Sequence, residues 1–244
     1  MGTGILTDLT NITYADRFIA YCSTLLHRKG VELTTTQRYV LITGATGRIG
    51  QSLVRTFADA GYEVVATDLS PTQPPGLPAV HYVTADLACF AVDPAYAEQT
   101  LAARGAPLKD GGLAGLINNA SVQVLGSTAA LTCTDWRQTL DVNLLAPFLL
   151  TQGLLSALAV DLGPRVRVNA IEPAAIATKM LEAGFAEHPE GLRELAGCHP
   201  SGRIGTPEEV ARLALALVNG GLGFLHGACI GLDGAISARL FNPD

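Results

Sequence analysis

The segment Thr43-Gly44-Ala45-Thr46-Gly47-Arg48-Ile49-Gly50 joins two patterns that belong to different secondary structures. Before it, Tyr39-Val40-Leu41-Ile42-Thr43 is a short apolar run of the kind that forms a buried strand. After it, Ile49, Leu53, Val54 and Phe57 recur at helical spacing. Strand, glycine turn and helix in that order restrict the chain to an α/β unit whose turn approaches an anion closely. Glycines let the backbone turn tightly, and the free amides and dipole at the helix N-terminus stabilise negative charge such as a pyrophosphate. A second strand pattern, Glu63-Val64-Val65-Ala66-Thr67, ends at Asp68, about where an acidic residue contacts the adenosine ribose of a dinucleotide.

The alternation continues. A Pro-rich stretch, Pro71 to Pro78, leads to a strand at His81–Thr84 that runs into Ala85-Asp86-Leu87, and a helix is predicted near Pro94 to Arg104. Gly112 to Asn118 reads as a strand entering Asn118-Asn119-Ala120-Ser121, and Thr134-Asp135-Trp136 caps a long helical stretch. A strand at Val166–Ile171, a loop at Pro173, a helix opened by Thr206-Pro207-Glu208-Glu209 and a strand near Ala228–Leu232 complete the order. Thr206 with Glu209 is a capping box, with Pro207 in the first helical turn. Strands alternating with helices predict one α/β domain over residues 39–244, and 244 residues that are 48% hydrophobic suffice for one large core. Residues 1–38 form an N-terminal extension. In it Ala15 to Lys29 reads as a helix with Phe18, Ile19, Cys22, Leu25 and Leu26 on one face, which either covers an exposed edge of the domain or docks a partner.

A net charge of −6 without a basic run argues against nucleic acid and anionic membrane as partners. The five cysteines show neither paired metal spacing nor a disulfide framework, and the histidines are equally scattered, so no metal is expected. Cysteine usage and the lack of a membrane-length apolar run suggest a cytoplasmic protein.

Several separated motifs, taken in order, resemble the short-chain dehydrogenase/reductase family over residues 39 to 238. TGATGRIG resembles its cofactor turn, Asp86-Leu87 the segment that contacts adenine, and NNAS at Asn118 to Ser121 the family's NNAG. Asn143, in Asp141-Val142-Asn143, resembles the asparagine of the catalytic tetrad. Arg167 to Ile171 with Pro173 and Thr178 resembles the strand and loop that hold the nicotinamide carboxamide, with Ala174 where glycine is usual. Gly202-Arg203-Ile204-Gly205 followed by TPEEVA, and Gly231-Leu232-Asp233-Gly234, extend the match. The resemblance implies a Rossmann-like doubly wound parallel sheet. It implies a dinucleotide held by Gly44, Gly47, Arg48, Ile49, Gly50, Asp68, Asp86, Leu87, Asn118, Ala120, Pro173 and Thr178, with Asn143 as a catalytic group. Asp68 favours NAD, whereas Arg48 leaves NADP open. The substrate implied is a small carbonyl or alcohol, and Arg48 with NNAS resembles the pteridine reductases.

The family's chemistry also uses a tyrosine, a lysine four residues later and a serine. A phenol of pKa about 10 is a poor base at neutral pH until a nearby cation favours the phenolate. The last tyrosine in this chain is Tyr96, none of its tyrosines has a lysine four residues later, and its lysines are Lys29, Lys109 and Lys179. Asn143 to Gln152 resembles the family helix after the fourth strand, and Gly153 to Pro164 the later half of the next helix. The chain is therefore expected to lack the fifth strand and part of the helix that follows. The junction reflects either a deletion in the protein or a stretch left out of its written sequence. A fused helix from Trp136 to Leu162 would run ~40 Å against ~20 Å for a strand, so a bend at Pro147 or Gly153 is expected. Three readings follow: an oxidoreductase, if the segment exists or another acid replaces the tyrosine; a non-catalytic nucleotide-binding or assembly protein; or a catalyst of non-redox chemistry that keeps the cofactor as a structural element, for which the sequence offers no distinct constellation. Leu144, Leu145, Phe148, Leu149, Leu154, Leu155 and Leu158 predict a homodimer or homotetramer, and Met180, Leu181 and Phe185 an apolar lid on the site.

Overall fold

The computed structural model describes residues 27–28, 38–78, 81–93, 96, 113–127, 129–158, 166–186 and 189–238. Its strands are β1 (His27–Arg28), β2 (Tyr39–Thr43), β3 (Glu63–Asp68), β4 (His81–Thr84), β5 (Leu113–Ile117), β6 (Val166–Arg167), β7 (Ala170–Pro173) and β8 (Cys229–Leu232). Its α-helices are α1 (Arg48–Asp59), α2 (Leu87–Val92), α3 (Cys133–Leu140), α4 (Ala146–Leu158), α5 (Lys179–Gly184), α6 (Glu190–Cys198) and α7 (Pro207–Val218).

Four parallel strands make the central sheet in the order β4-β3-β2-β5. Every residue of β2 and β5 is buried, the reason both segments read as unbroken apolar runs. Val40 and Ile42 pack with Ile49, Leu53 and Phe57 of α1 and with Val210, Ala214 and Leu217 of α7. Tyr39 and Leu41 pack with Phe90 of α2 and Leu150 of α4 on the other face. The sheet is covered on both sides, as the doubly wound expectation requires, and its C-terminal strand ends bring the glycine turn, Asp68, Asp86 and Asn118 to one edge.

The predicted long helix exists, with two differences. Its cap is Thr132 rather than Thr134: Thr132 and Asp135 form a reciprocal capping box that leaves Cys133 as the first helical residue. The irregularity is also not at Pro147 or Gly153. A π-turn over Asp141–Leu145 separates α3 from α4, with the Ala146 amide donating to the Asp141 carbonyl. Pro147 has no N–H to offer Asn143 and its ring crowds that carbonyl, so a wider turn just ahead of it relieves both problems without stopping the helix.

The strand expected at Val166–Ile171 is broken. The Val168 amide donates to His226 Nδ1, and the Asn169 side chain bonds the Leu225 carbonyl and the Ala228 amide, which turns these two residues out of the ladder. On either side of the break, β6 pairs with β1 and β7 pairs with β8, each as a two-stranded sheet apart from the central four. In β6, Arg167 is buried and donates to the carbonyls of Leu217, Leu222 and Leu225 around the C-terminus of α7, where a cation is favoured by the helix dipole. The helix read over Ala15–Lys29 lies outside the described residues except at His27–Arg28, which is strand. The helix near Pro94–Arg104 lies largely outside them too.

The cap read at Thr206 is present in full, with Pro207 in the first turn of α7. The Arg203 guanidinium and the Thr206 backbone amide hold the Glu209 carboxyl down to about 2.

Candidate functional site

The glycines of the turn do different work. Gly44 has φ +66°, and a Cβ there would lie 2.7 Å from Ala120 Cα. A Cβ on Gly50 would fall on the Gly44 carbonyl oxygen and 2.8 Å from Ala45 Cα. Both positions need glycine for the fold. Gly47 does not: its φ is −65°, and the nearest atom to an added Cβ is the Gly44 carbonyl oxygen at 3.5 Å. It is the N-cap of α1, and no side chain caps the helix there. The first-turn amides of a 12-residue helix are thus left facing the cavity, the arrangement that receives an anion.

Two strand ends hold the turn in shape. Asp68 Oδ2 accepts from the Thr46 amide at 2.8 Å and Oδ1 from the Ser70 amide at 3.0 Å, so the carboxylate is fixed at the end of β3. Thr43 Oγ1 accepts from the Asn119 and Ala120 amides, while Asn119 Nδ2 donates to the Thr43 and Gly44 carbonyls. Asn119 was not singled out in the sequence, yet it is the strut that closes β5 onto the turn. Asn118 beside it is buried with both side-chain polar atoms unpartnered, an arrangement that favours a bound water or ligand group.

These elements surround a cavity of about 430 Å³. The expected residues Gly44, Gly47, Arg48, Ile49 and Gly50 line it. So do Asp68, Asp86, Leu87, Ala120 and Thr178. Asp86 Oδ1 caps α2 by accepting from the Ala88 amide at 2.9 Å. Thr178 caps α5 through Leu181 N at 3.2 Å. Asn118 and Pro173, at the ends of β5 and β7, are not among its lining residues. The cavity is further lined by Val142 and Lys179, neighbours of motif residues, and by Gln138, which the motifs did not mark. Gln138 and Val142 are four residues apart on one helix face, a signal readable once that helix is placed.

Two residues have other partners than the motif suggests. Arg48 forms a two-pronged ion pair with Glu182 and donates to the Ala177 carbonyl at 3.4 Å, tying the start of α1 to α5 across the cavity mouth. Asn143 uses its whole amide on one backbone residue: Oδ1 accepts from Val122 N at 2.8 Å and Nδ2 donates to Val122 O at 2.9 Å. It braces the loop after β5 against the π-turn. Among the described residues, no tyrosine, histidine or cysteine lines the cavity.

A second cavity of about 210 Å³ adjoins the first, sharing Ile49, Thr178 and Met180. Leu125, Ile176, Leu181 and Phe185 make it apolar. Met180, Leu181 and Phe185 therefore meet where the lid was expected.

Residues 38–159 match the family model described as short chain dehydrogenase, and residues 152–237 match one described as Enoyl-(Acyl carrier protein) reductase. The two matches overlap only around the Gln152–Gly153 junction. The 2,5-dichloro-2,5-cyclohexadiene-1,4-diol dehydrogenase of Sphingobium indicum is 26% identical over 248 aligned positions, covering 82% of this chain and 96% of that protein. The D-threitol dehydrogenase of Mycolicibacterium smegmatis is 26% identical over 249, covering 83% and 94%. Each alignment is longer than the whole 244-residue chain although it uses little more than four-fifths of it, so these relatives carry several tens of residues with no counterpart here.

Among solved structures, the ligand-free aldohexose dehydrogenase of Thermoplasma acidophilum superposes with a TM-score of 0.71 at 23% identity, covering 85% of this chain and 97% of that one. A 4-hydroxyisoleucine dehydrogenase complexed with NADH gives 0.67 at 18%, covering 84% and 100%. A putative gluconate 5-dehydrogenase from Beutenbergia cavernae with bound NADP gives 0.69 at 22%, covering 83% and 97%.

Proposed function

The chain belongs to the short-chain dehydrogenase/reductase family of NAD(P)-dependent oxidoreductases, and on that premise we propose that it binds NAD in the 430 Å³ cavity but, as these 244 residues, does not turn over a carbonyl substrate. The observation that carries the first half is the uncapped N-terminus of α1 behind Gly47, with Asp68 fixed at the neighbouring strand end. The second half is supported by the cavity lining among the described residues and by a sequence in which no tyrosine has a lysine four residues later.

The residues present fit the dinucleotide. The amides of the first turn of α1 would receive the pyrophosphate, Asp68 the adenosine ribose hydroxyls, Asp86 and Leu87 the adenine, and Thr178 with Pro173 the nicotinamide side. When bound, the nicotinamide supplies a hydride acceptor or donor. Toward that end the cavity would offer it Ser121, Lys179 and the Asn143-braced loop, with no phenol among the described lining residues. The substrate class the reading favours is a small carbonyl or alcohol, with the adjoining apolar cavity admitting a nonpolar portion; a pteridine is the narrower form of that reading. Cofactor retention without turnover would make the protein a nucleotide-binding or assembly component, and a cytoplasmic location is the one that the scattered cysteine pattern favours. Among the described residues no helix is long and apolar enough to cross a membrane.

Cofactor choice is testable by calorimetry. A 2′-phosphate would meet the Asp68 carboxylate, while Arg48 is engaged by Glu182. NADH is expected to bind at least ~10-fold tighter than NADPH, and Asp68→Ala to narrow that ratio. Tighter NADPH binding that Arg48→Ala abolishes would reverse the assignment.

The helix over α3 and α4 also carries a stripe of exposed apolar side chains. Trp136, Leu140, Leu144 and Phe148, four residues apart, are 56%, 48%, 64% and 57% exposed. Such a stripe is self-complementary across a two-fold axis, so we expect a homodimer or a tetramer built from it. Light scattering at micromolar protein should give at least a dimer, and Leu144→Glu with Phe148→Glu a monomer of unchanged circular dichroism. A monodisperse wild-type monomer would remove the proposal.

A further inference from the structure

Where the central sheet should continue beyond β5, the described residues show a seam. The ladder partner of β5 is β2, that of β7 is β8, and no ladder joins β5 to β6 or β7. A strand edge left inside a fold presents backbone donors and acceptors that need partners. Beyond the seam β6 is firmly held, because Arg167 is buried against carbonyls at the end of α7 and Val166 packs on the core that includes Tyr39, Leu113 and Leu116. Into this seam comes β1, from the N-terminal extension. It pairs antiparallel with β6, His27 opposite Arg167 and Arg28 opposite Val166, and lies beside β5.

We propose that the N-terminal extension supplies a surrogate strand: through His27–Arg28 it occupies, in the same molecule, the place between β5 and β6 that the shortened Gln152–Gly153 junction leaves without one. The antiparallel sense is what makes the substitution accessible. A parallel strand at this position must be delivered by a crossover from its neighbours, whereas an antiparallel one can be laid in by a chain arriving from elsewhere. His27–Arg28 is then a working part of the core fold, joining the glycine-turn half to the C-terminal half, independently of cofactor or turnover.

Hydrogen exchange read by mass spectrometry tests it on three proteins: the full chain, the full chain with Arg28→Pro, and the chain lacking residues 1–30. Proline removes the strand's Arg28 amide donor. Amides of Leu113–Ile117 and Val166–Arg167 are expected to exchange at least ~10-fold faster in both variants, while those of β4 at the opposite edge stay unchanged. Unchanged exchange at β5 and β6 in Arg28→Pro would overturn the proposal. Because the shortened chain can fail to fold, a second measurement uses the full chain with Arg28→Cys and Val166→Cys, a pair directly opposite in the ladder and within disulfide reach. Mild oxidation should link these two positions within one chain, as mapped by peptide mass. No link between them, or a link found only between two chains, would overturn the placement within the same molecule.

Discussion

Protein whose intact mass matches these 244 residues is expected to bind NADH and yet to oxidise it, across a panel of carbonyl compounds, at least ~10²- to 10⁴-fold more slowly than a dehydrogenase with a positioned proton donor. Hydride transfer to a carbonyl leaves an alkoxide that must be protonated as it forms. No phenol lines the cavity among the described residues to donate that proton, and Lys179 stands at the mouth beside Thr178, with no tyrosine beside it to activate. Gln138 and Ser121 can hydrogen-bond a substrate, but neither is an acid near neutral pH. Robust turnover from protein of the stated mass would refute this reading and require another acid. A mass larger by several tens of residues would instead place the missing segment back at Gln152–Gly153 and restore the oxidoreductase reading.

The second large effect separates binding from folding within the glycine turn. Gly47→Asp should leave the fold intact and weaken NADH binding at least ~100-fold, about 2.7 kcal/mol. The backbone at Gly47 suits any residue, an added Cβ has room, and aspartate is a favoured N-cap. Its carboxylate would take the amides of the first turn and add a charge where the pyrophosphate is to sit. Gly50→Ala should behave in the opposite sense. Its Cβ meets the backbone of Gly44 and Ala45, which can yield only by opening the turn, so a stability loss of ~1–3 kcal/mol and a Tm lower by roughly 2–12 °C are expected. Retained affinity in Gly47→Asp, with unaltered circular dichroism, would remove the α1 N-terminus from the cofactor site.

The contrast between those two glycines shows how far the residues speak unaided. TGATGRIG marks the turn, but nothing in the string separates the glycine required by packing from the one that leaves amides open. For Gly50 the difference comes from how the turn folds its chain back onto Gly44 and Ala45, and for Gly44 from Ala120, 76 positions beyond it. Asn119 is similar: its neighbour Asn118 carries the motif, while the bonds that close β5 on the turn belong to Asn119 and Thr43. Arg48 lines the cavity as the motif expects, but its partner Glu182 lies 134 residues away and could not be read from the motif.

Strand β2, the turn, α1, β3 and the capped α7 were all legible because each is specified by neighbours along the chain: buried runs, helical spacing, and a Thr-Pro-Glu-Glu cap whose partners are three residues apart. That no tyrosine follows Tyr96 is read from the string alone, because folding does not add a residue type to a stretch that lacks it. The position of the bend in the long helix, the break at Val168–Asn169, the split of the sheet beyond β5 and the entry of β1 into that split were not. The last three turn on backbone groups finding partners far along the chain, His226 for Val168 and Arg167 for His27, while the helix irregularity falls just ahead of Pro147, where the sequence placed it at the proline itself or at Gly153. Local pattern records what a segment prefers, and long-range pairing decides which of its hydrogen bonds it keeps.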